Sequence, residues 1–104
     1  MYGLFGKFRA QPGQRETLLG YLLRGAAELS DLDGCYLYVV SRAPDDPDGI
    51  WVYEVWRSEA DHRASLEHPA VQSLIASARP IIAEMPLRIE MTPVGGKGLP
   101  DGAT

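Results

Sequence analysis

Apolar residues recur with two different periods along the chain, and these periods divide it into six predicted elements. Aromatic and β-branched residues concentrate in 2–10, 35–42 and 50–57, which is typical of β-strands, and 87–94 is a weaker segment of the same kind. Leucines and alanines at helical spacing predict one helix over 13–30 and a second helical region from Ser58 to Pro86, interrupted at Pro69. The resulting order β-α-β-β-α-β predicts an α+β, ferredoxin-like fold with both helices on one face of an antiparallel sheet.

Prolines and glycines mark the boundaries between these elements. Pro12-Gly13 predicts a turn, and the segment Ala43–Gly49 (APDDPDG) predicts an exposed loop that joins two strands into a hairpin. Ser58 is a suitable N-cap for the second helical region. Gly20 and Gly25 disfavour the first helix, so we expect them to allow tight packing against the sheet.

The two central strands are apolar on both faces, although two helices can cover only one. In the third strand Val52 and Trp56 alternate with Trp51 and Tyr53, and in the second Cys35, Leu37 and Val39 alternate with Tyr36, Tyr38 and Val40. An antiparallel sheet with one wet face would instead alternate between apolar and polar residues. The pattern therefore predicts a homodimer in which the open sheet face meets a second copy.

Composition narrows the functional class. The chain has 104 residues, with 45% hydrophobic residues and a net charge of −4 from ten basic and fourteen acidic side chains. This acidity argues against nucleic acid or an anionic membrane as a partner, and the longest apolar stretches are too short to span a bilayer. The N-terminal segment MYGLFGKFRAQPGQ lacks the pattern of a signal peptide, so we expect a cytoplasmic protein. We expect one domain over 1–94 and a flexible tail over 95–104.

The segment Val52–Leu66 (VYEVWRSEADHRASL), together with the order of elements, resembles the antibiotic biosynthesis monooxygenase domain. The most specific part is Tyr53-Glu54-Val55-Trp56 followed by an acidic helix start, and Pro12-Gly13 after the first strand also matches. The resemblance covers residues 2–94. It implies a dimeric α+β barrel in which each subunit has a pocket between its sheet and its own helices.

The resemblance also implies an activity. Oxygenating members of the family use O₂ without a flavin, haem or metal, on a small phenol or quinol whose anion passes an electron to oxygen. We therefore expect a cofactor-independent monooxygenase that binds an aromatic ring, stabilises its anion and excludes water.

Three residues are the leading candidates for this site. Trp56 matches the family tryptophan and would contact the substrate ring, unless it only fills the core. Glu54, a carboxylate within an apolar strand, would take the phenolic proton as a general base or simply pair with an arginine. His62, one turn into the second helical region, would assist proton transfer or lie exposed on the helix surface.

Other residues are weaker candidates for the substrate site. Arg79 would hold a substrate oxyanion or complement a helix C-terminus. Val52 and Leu66 would line the substrate pocket, and Val52 stands where polyketide-oxidising members carry an asparagine. His68 is expected to cap a helix or lie exposed, Cys35 to be a buried small hydrophobe, and the tyrosines Tyr36, Tyr38 and Tyr53 to pack at the dimer interface.

Two alternative functions remain to be weighed. Haem-degrading enzymes share this fold, but the positions where they carry a tryptophan and a histidine ligand align with Ser65 and Ile75, which argues against haem. The second alternative is a non-catalytic small-molecule binder or accessory protein, because this fold supports many functions.

Overall fold

A computed structural model describes residues 1–100 of the chain. Its regular elements, named here in chain order, are β1 (Tyr2–Ala10), α1 (Arg15–Leu29), β2 (Cys35–Arg42), β3 (Gly49–Trp56), α2 (Glu59–Ser65), α3 (Pro69–Ala78) and β4 (Ile82–Met91). A 3₁₀ turn, Arg79–Ile81, joins α3 to β4. The predicted second helical region is therefore two helices, because Pro69 occupies the first turn of α3, where its missing N–H is not needed.

The four strands form one antiparallel sheet in the order β2-β3-β1-β4. This order and the helices on one face confirm the predicted ferredoxin-like α+β fold. β3 and β1 are central, whereas β4 and β2 are edge strands, so the expectation that β2 is central is wrong. The hairpin between β2 and β3 is also confirmed, and its loop is fixed by Asp46, which pairs with Lys7 and with Arg9.

The core lies between the sheet and the helices, in two clusters at opposite ends of β3. The first joins Leu18 and Leu19 of α1 to Ile50 and Val52 of β3 and to Ala78. The second joins Trp56 to Tyr2, Leu29 and Val71. Even-numbered residues of β3 therefore face the helices, as their alternation predicts.

β4 begins at Ile82, five residues before the predicted start at Leu87. Pro86 was expected to end the helical region, but it lies within the strand. The pairing of β4 with β1 shifts register between Leu87 and Glu84, so Pro86 occupies a bulge in an edge strand. An edge strand tolerates proline there because the missing N–H interrupts no ladder.

Two further expectations about packing are wrong. A Cβ added at Gly20 or Gly25 would lie more than 4 Å from every heavy atom of the other described elements, so neither glycine serves a tight contact with the sheet. β2 has a bulge at Tyr36, between the pairs Cys35–Trp56 and Leu37–Val55. This bulge shifts the alternation of the strand by one residue, so the side chains after it point to the opposite face from the one expected. Consequently Tyr38, which was expected at the dimer interface, packs with the helix-side core instead of on the open face.

The open face of the sheet carries a group of aromatic side chains. Phe5 stacks on Trp51 with ring centroids 5.2 Å apart and meets Tyr53 edge-on at 6.0 Å. Lys7 places its ammonium group 5.3 Å from the centre of the Trp51 ring. After β4, Pro93 packs against Gly3.

Within the described chain, none of the helices has the length and apolarity needed to cross a membrane. Residues 95–100 form no helix or strand, and the remainder of the predicted tail, 101–104, lies outside the described residues.

Candidate active site

The helix-facing side of the sheet arranges its side chains in rows, because directly opposed residues of antiparallel strands point to the same face. Reading across the strands from β2, the rows are Cys35–Trp56–Tyr2, then Tyr38–Glu54–Leu4–Glu90, then Val40–Val52–Gly6–Arg88. Most of these side chains are apolar or aromatic. The central polar group is the carboxylate of Glu54, with charged groups at the β4 end of its row and of the next.

Glu54, Trp56 and His62 converge at this point. The Trp56 indole donates from Nε1 to Oε1 of Glu54 at 3.0 Å, and His62 Nε2 lies 3.8 Å from the same oxygen. The side chains of Glu54 and His62 are only 14% and 11% exposed. The three leading candidates from the sequence therefore share one buried location.

Local sequence explains this convergence. Alternation along β3 puts Glu54 and Trp56 on the same face, two residues apart. Ser58 then caps α2 by accepting from the backbone N–H of Asp61 at 3.1 Å, so α2 begins immediately after the strand. One turn later His62 reaches Trp56 edge-on, with ring centroids 5.5 Å apart, and lies at the same distance from Tyr2.

Burial disfavours charge on both ionisable partners. It raises the pKa of Glu54, while the Trp56 N–H and the positive charge of Arg88 act in the opposite direction. Burial and the charge of Arg88 lower the pKa of His62, which favours the neutral imidazole. A carboxylate with a raised pKa beside a neutral imidazole is suited to accept and pass on a proton near neutral pH.

Tyr38 and Cys35 complete the β2 side of the site. Burial, and then the nearby Glu54, raise the pKa of both the Tyr38 hydroxyl and the Cys35 thiol. Both groups therefore stay protonated at neutral pH. Cys35 packs against the second core cluster but is half-buried, so it is less enclosed than the buried small hydrophobe that the sequence predicts.

Two open clefts flank this group of side chains. One, of about 240 Å³, lies between the α1–β2 loop and α2, and its wall includes Trp56, Ser65 and His68. The other, of about 190 Å³, lies between the end of α1 and β2 and is lined by Leu29, Cys35 and Tyr38 among others. Trp56 therefore lies between Glu54 and the first cleft, and Tyr38 lies between Glu54 and the second.

The remaining predicted site residues lie elsewhere. Val52 is buried in the first core cluster, one row from Glu54. Leu66 is exposed at the end of α2. Arg79 is exposed and follows Ala78 in the first core cluster, at the opposite end of β3 from Trp56, so the structure does not bring it to Glu54. His68 caps α3 by accepting from the Ala70 N–H at 3.2 Å, as one of its two readings predicts.

Two residues near the site were missed. Tyr2 contacts His62 and belongs to the Trp56 cluster, and Arg88 acts on the pKa of both Glu54 and His62. Glu90 and then Tyr2 raise the pKa of Arg88 itself. The alternation of β1 was a signal for Tyr2. No local signal pointed to Arg88, because its position depends on the register between β4 and β1.

Comparison with known proteins gives the family. The antibiotic biosynthesis monooxygenase family matches residues 1–77. A solved structure of a candidate antibiotic biosynthesis monooxygenase from Chloroflexus aurantiacus has 50% sequence identity and a TM-score of 0.89, with 95% of this chain and 98% of that chain covered. No functionally curated protein matches the sequence significantly.

More distant structures share the fold. A candidate antibiotic biosynthesis monooxygenase from Caulobacter crescentus is 19% identical with a TM-score of 0.83, over 90% of both chains. One from Deinococcus radiodurans is 21% identical with a TM-score of 0.79, over 92% of this chain and 95% of that chain. Together with the match over residues 1–77, the relative of 50% identity shows that this chain belongs to the antibiotic biosynthesis monooxygenase family.

Proposed function

We propose that the protein is a cofactor-independent monooxygenase that oxidises a small phenol- or quinol-type aromatic compound with O₂. The observation that carries this proposal is the buried Glu54 carboxylate, held by the Trp56 N–H at 3.0 Å and 3.8 Å from His62. Family membership supports the oxygenase class. The apolar and aromatic surroundings suit a ring-shaped substrate.

In the proposed reaction, Glu54 takes the proton of the substrate hydroxyl, or of the acidic ring CH₂ of an anthrone. The anion passes one electron to O₂, and the resulting radical combines with superoxide to form a carbon–oxygen bond and a peroxide anion. That peroxide recovers the proton, with His62 beside Glu54 as the second carrier, and loses water. For a ring CH₂ the balance is R₂CH₂ + O₂ → R₂C=O + H₂O, and the substrate supplies all four electrons.

The surroundings of Glu54 assist the first step. A carboxylate whose pKa is raised is a stronger base, and Trp56 keeps its proton-accepting oxygen oriented. A largely buried location also strengthens the attraction between the substrate anion and nearby hydrogen-bond donors.

The test uses Glu54→Gln, which keeps an acceptor for the Trp56 N–H but takes up no proton. With anthrone as substrate under ¹⁸O₂, we expect wild type to place one labelled oxygen in anthraquinone, faster than protein-free buffer. Glu54→Gln should reduce the protein-dependent rate on the order of 10²-fold, the usual contribution of a general base. Glu28→Gln, an exposed glutamate of α1, is the matched control and should retain the wild-type rate.

Trp56→Phe separates a chemical from a structural role. Because the indole N–H lowers the pKa of Glu54, its loss should move the rising limb of the pH–rate profile to higher pH. A variant that only loosens the core would lower the rate without moving that limb. The proposal fails if oxygen uptake on anthrone and on naphthoquinols equals the protein-free rate, or if Glu54→Gln leaves it unchanged.

One observation favours a second candidate function, a binder of small aromatic molecules without turnover. The Glu54 carboxylate, which would have to accept the substrate proton, already accepts from the Trp56 N–H, and Glu54 is not among the residues that line either cleft. Such a binder would be stabilised against heat by an aromatic ligand in the absence of O₂ consumption. The same anthrone and naphthoquinol panel, followed by thermal shift and oxygen electrode together, distinguishes the two functions.

A further inference from the structure

Arg88 lies on the same face of the sheet as Glu54, on edge strand β4. It pairs with Gly6, and Gly6 pairs in turn with Val52, so Arg88 ends the row next to that of Glu54. We propose that Arg88 is a substrate-positioning residue that binds an anionic group of the substrate. The substrate class is then an aromatic acid whose ionisable hydroxyl lies at the opposite end of the ring system, a refinement that rests on the proposed function.

The surface between Arg88 and Val52 lacks a side chain. Gly6 separates them, and a Cβ added at Gly6 would have one described heavy atom within 4 Å outside its chain neighbours, the backbone oxygen of Leu87 at 3.2 Å. Apart from that oxygen, the position that a first side-chain carbon would occupy at Gly6 is clear of other described elements to a distance of 4 Å. The neighbouring residues in β1 on this face, Leu4 and Phe8, are half-buried and apolar. A flat ring resting on this glycine would contact both.

The dimensions of the sheet fit a two-ring compound. Arg88 and Glu54 are two strands and one row apart, and strands lie about 4.8 Å apart with about 3.4 Å per residue, so their Cα atoms are roughly 12 Å apart. Both side chains extend over the same face and shorten this gap. A fused two-ring aromatic with a polar group at each end spans the remaining distance.

The guanidinium of Arg88 has donors to spare. Glu90 accepts from a single nitrogen, Nη1, at 3.0 Å, and the Tyr2 side chain is a second neighbour of the guanidinium. Both side chains of the Arg88–Glu90 pair are about half exposed. Such an exposed pair contributes little to stability and exchanges readily. A planar guanidinium has five N–H donors and matches a carboxylate in a two-pronged geometry, so a ligand carboxylate can share or replace Glu90.

The charge of Arg88 also reaches the proposed proton acceptors. It lowers the pKa of both Glu54 and His62, in line with its position one row from Glu54 on the same face of the sheet. An anionic ligand bound at Arg88 would be repelled by ionised Glu54 were the two close together. Arg88 and Glu54 are two strands and one row apart, which keeps the two negative charges apart.

The test compares two probes that differ only in charge, 2-naphthoate and 2-naphthamide, by isothermal titration calorimetry of the full chain at neutral pH. We expect wild type to bind the carboxylate about tenfold or more tightly than the amide, because a charge-assisted hydrogen bond is the stronger one. Arg88→Gln should abolish this preference, whereas Arg88→Lys should retain part of it.

Arg42→Gln is the matched control. Arg42 lies on the other edge strand, pairs with Glu16, and is 61% exposed against 52% for Arg88. This variant should keep the wild-type preference. The proposal is overturned if wild type binds both probes equally, if it binds neither at millimolar concentration, or if Arg88→Gln keeps the preference. A preference for naphthoate that depends on Arg88, without oxygen uptake on anthrones or quinols, would support the anion site and overturn the monooxygenase reaction alone.

Discussion

The ionisation of the largely buried Glu54 carboxyl opposes folding. Tyr38 from β2, Trp56 from β3, His62 from α2 and, further out, Arg88 from β4 surround its carboxyl group. Burial outweighs the opposing effects of Trp56 and Arg88 and raises the pKa above 4.5, its ordinary value. The folded protein therefore binds a proton more tightly than the unfolded chain, and folding stability falls as the pH rises from 4.5 through the raised value.

We accordingly expect Glu54→Gln to stabilise the protein at neutral pH. The amide oxygen still accepts from Trp56, and the free energy of ionising a buried carboxyl, about 1.4 kcal/mol for each unit of raised pKa, is no longer lost. Urea denaturation at a series of pH values measures the effect. The gain over wild type should be present near pH 7 and vanish below about pH 4, where Glu54 is protonated in both states.

Glu28→Gln provides the reference for this measurement, since Glu28 is exposed on α1. It should follow wild type at every pH. A Glu54→Gln variant that is less stable than wild type at pH 7 would mean that the ionised carboxylate, with Trp56 and His62, is a net stabilising contact.

At this scale the sequence predicts the parts of the site that depend on local geometry. Alternation in β3 brings Glu54 and Trp56 to one face, and the cap at Ser58 sets the helical phase of His62. Arg79 and Arg88 are equivalent candidates without the fold, because each is an arginine within two residues of a proline, Arg79 just before Pro80 and Arg88 two residues after Pro86. Only the pairing of β4 with β1, more than 80 residues away in sequence, places Arg88 beside the site.

At the level of elements, replacing either of the two glycines inside α1 is expected to stabilise the protein. Gly20 and Gly25 lie within the helix, and the space that a Cβ would occupy at each is clear of the other described elements. Alanine removes conformational freedom from the unfolded chain and favours the helix. We expect Gly20→Ala and Gly25→Ala each to raise the free energy of unfolding by about 0.5–1 kcal/mol in urea denaturation.

Gly13 is the control of opposite sign for this prediction. It has a positive φ of 77° in the turn before α1, where an alanine is strained. Gly13→Ala should therefore destabilise the protein by about 1 kcal/mol. A loss of stability in Gly20→Ala would show that this part of α1 approaches another surface, such as a ligand or a second copy.

The bounds of the strands are predicted from the sequence in some cases and not in others. The bounds of β1 and β2 match the structure because both strands have dense aromatic and β-branched residues and clear turns beside them. The start of β4 was misplaced because Pro80 and Pro86 suggested a helix end, although one lies in a 3₁₀ turn and the other in a bulge. Bulges are set by pairing with a neighbouring strand, so a single segment carries little trace of them.

In the described chain, the helices cover one face of the sheet and leave the open face uncovered. Phe5, Trp51 and Tyr53 form an aromatic group there. Lys7 is neutralised by Asp46 at 3.1 Å, so the charge it places on this face is already paired. We propose that a second copy covers this face, sheet against sheet, in a two-fold dimer. Apolar side chains on a face whose charged group is already paired favour such an interface.

A charge introduced on this face should separate the subunits without unfolding them. Val39 lies on the open face of β2, opposite Tyr53, and is 44% exposed in the single chain, so Val39→Glu is tolerated by the monomer fold. Leu23, an apolar residue of α1 with 56% exposure, is the matched control on the helical side.

By light scattering at micromolar concentration, wild type and Leu23→Glu should have twice the 11.4 kDa of one chain. Val39→Glu should be a monomer with an unchanged circular dichroism spectrum, because burying an unpaired carboxylate opposes association. A monomeric wild type, or dissociation by Leu23→Glu instead of Val39→Glu, would place the interface elsewhere or remove it.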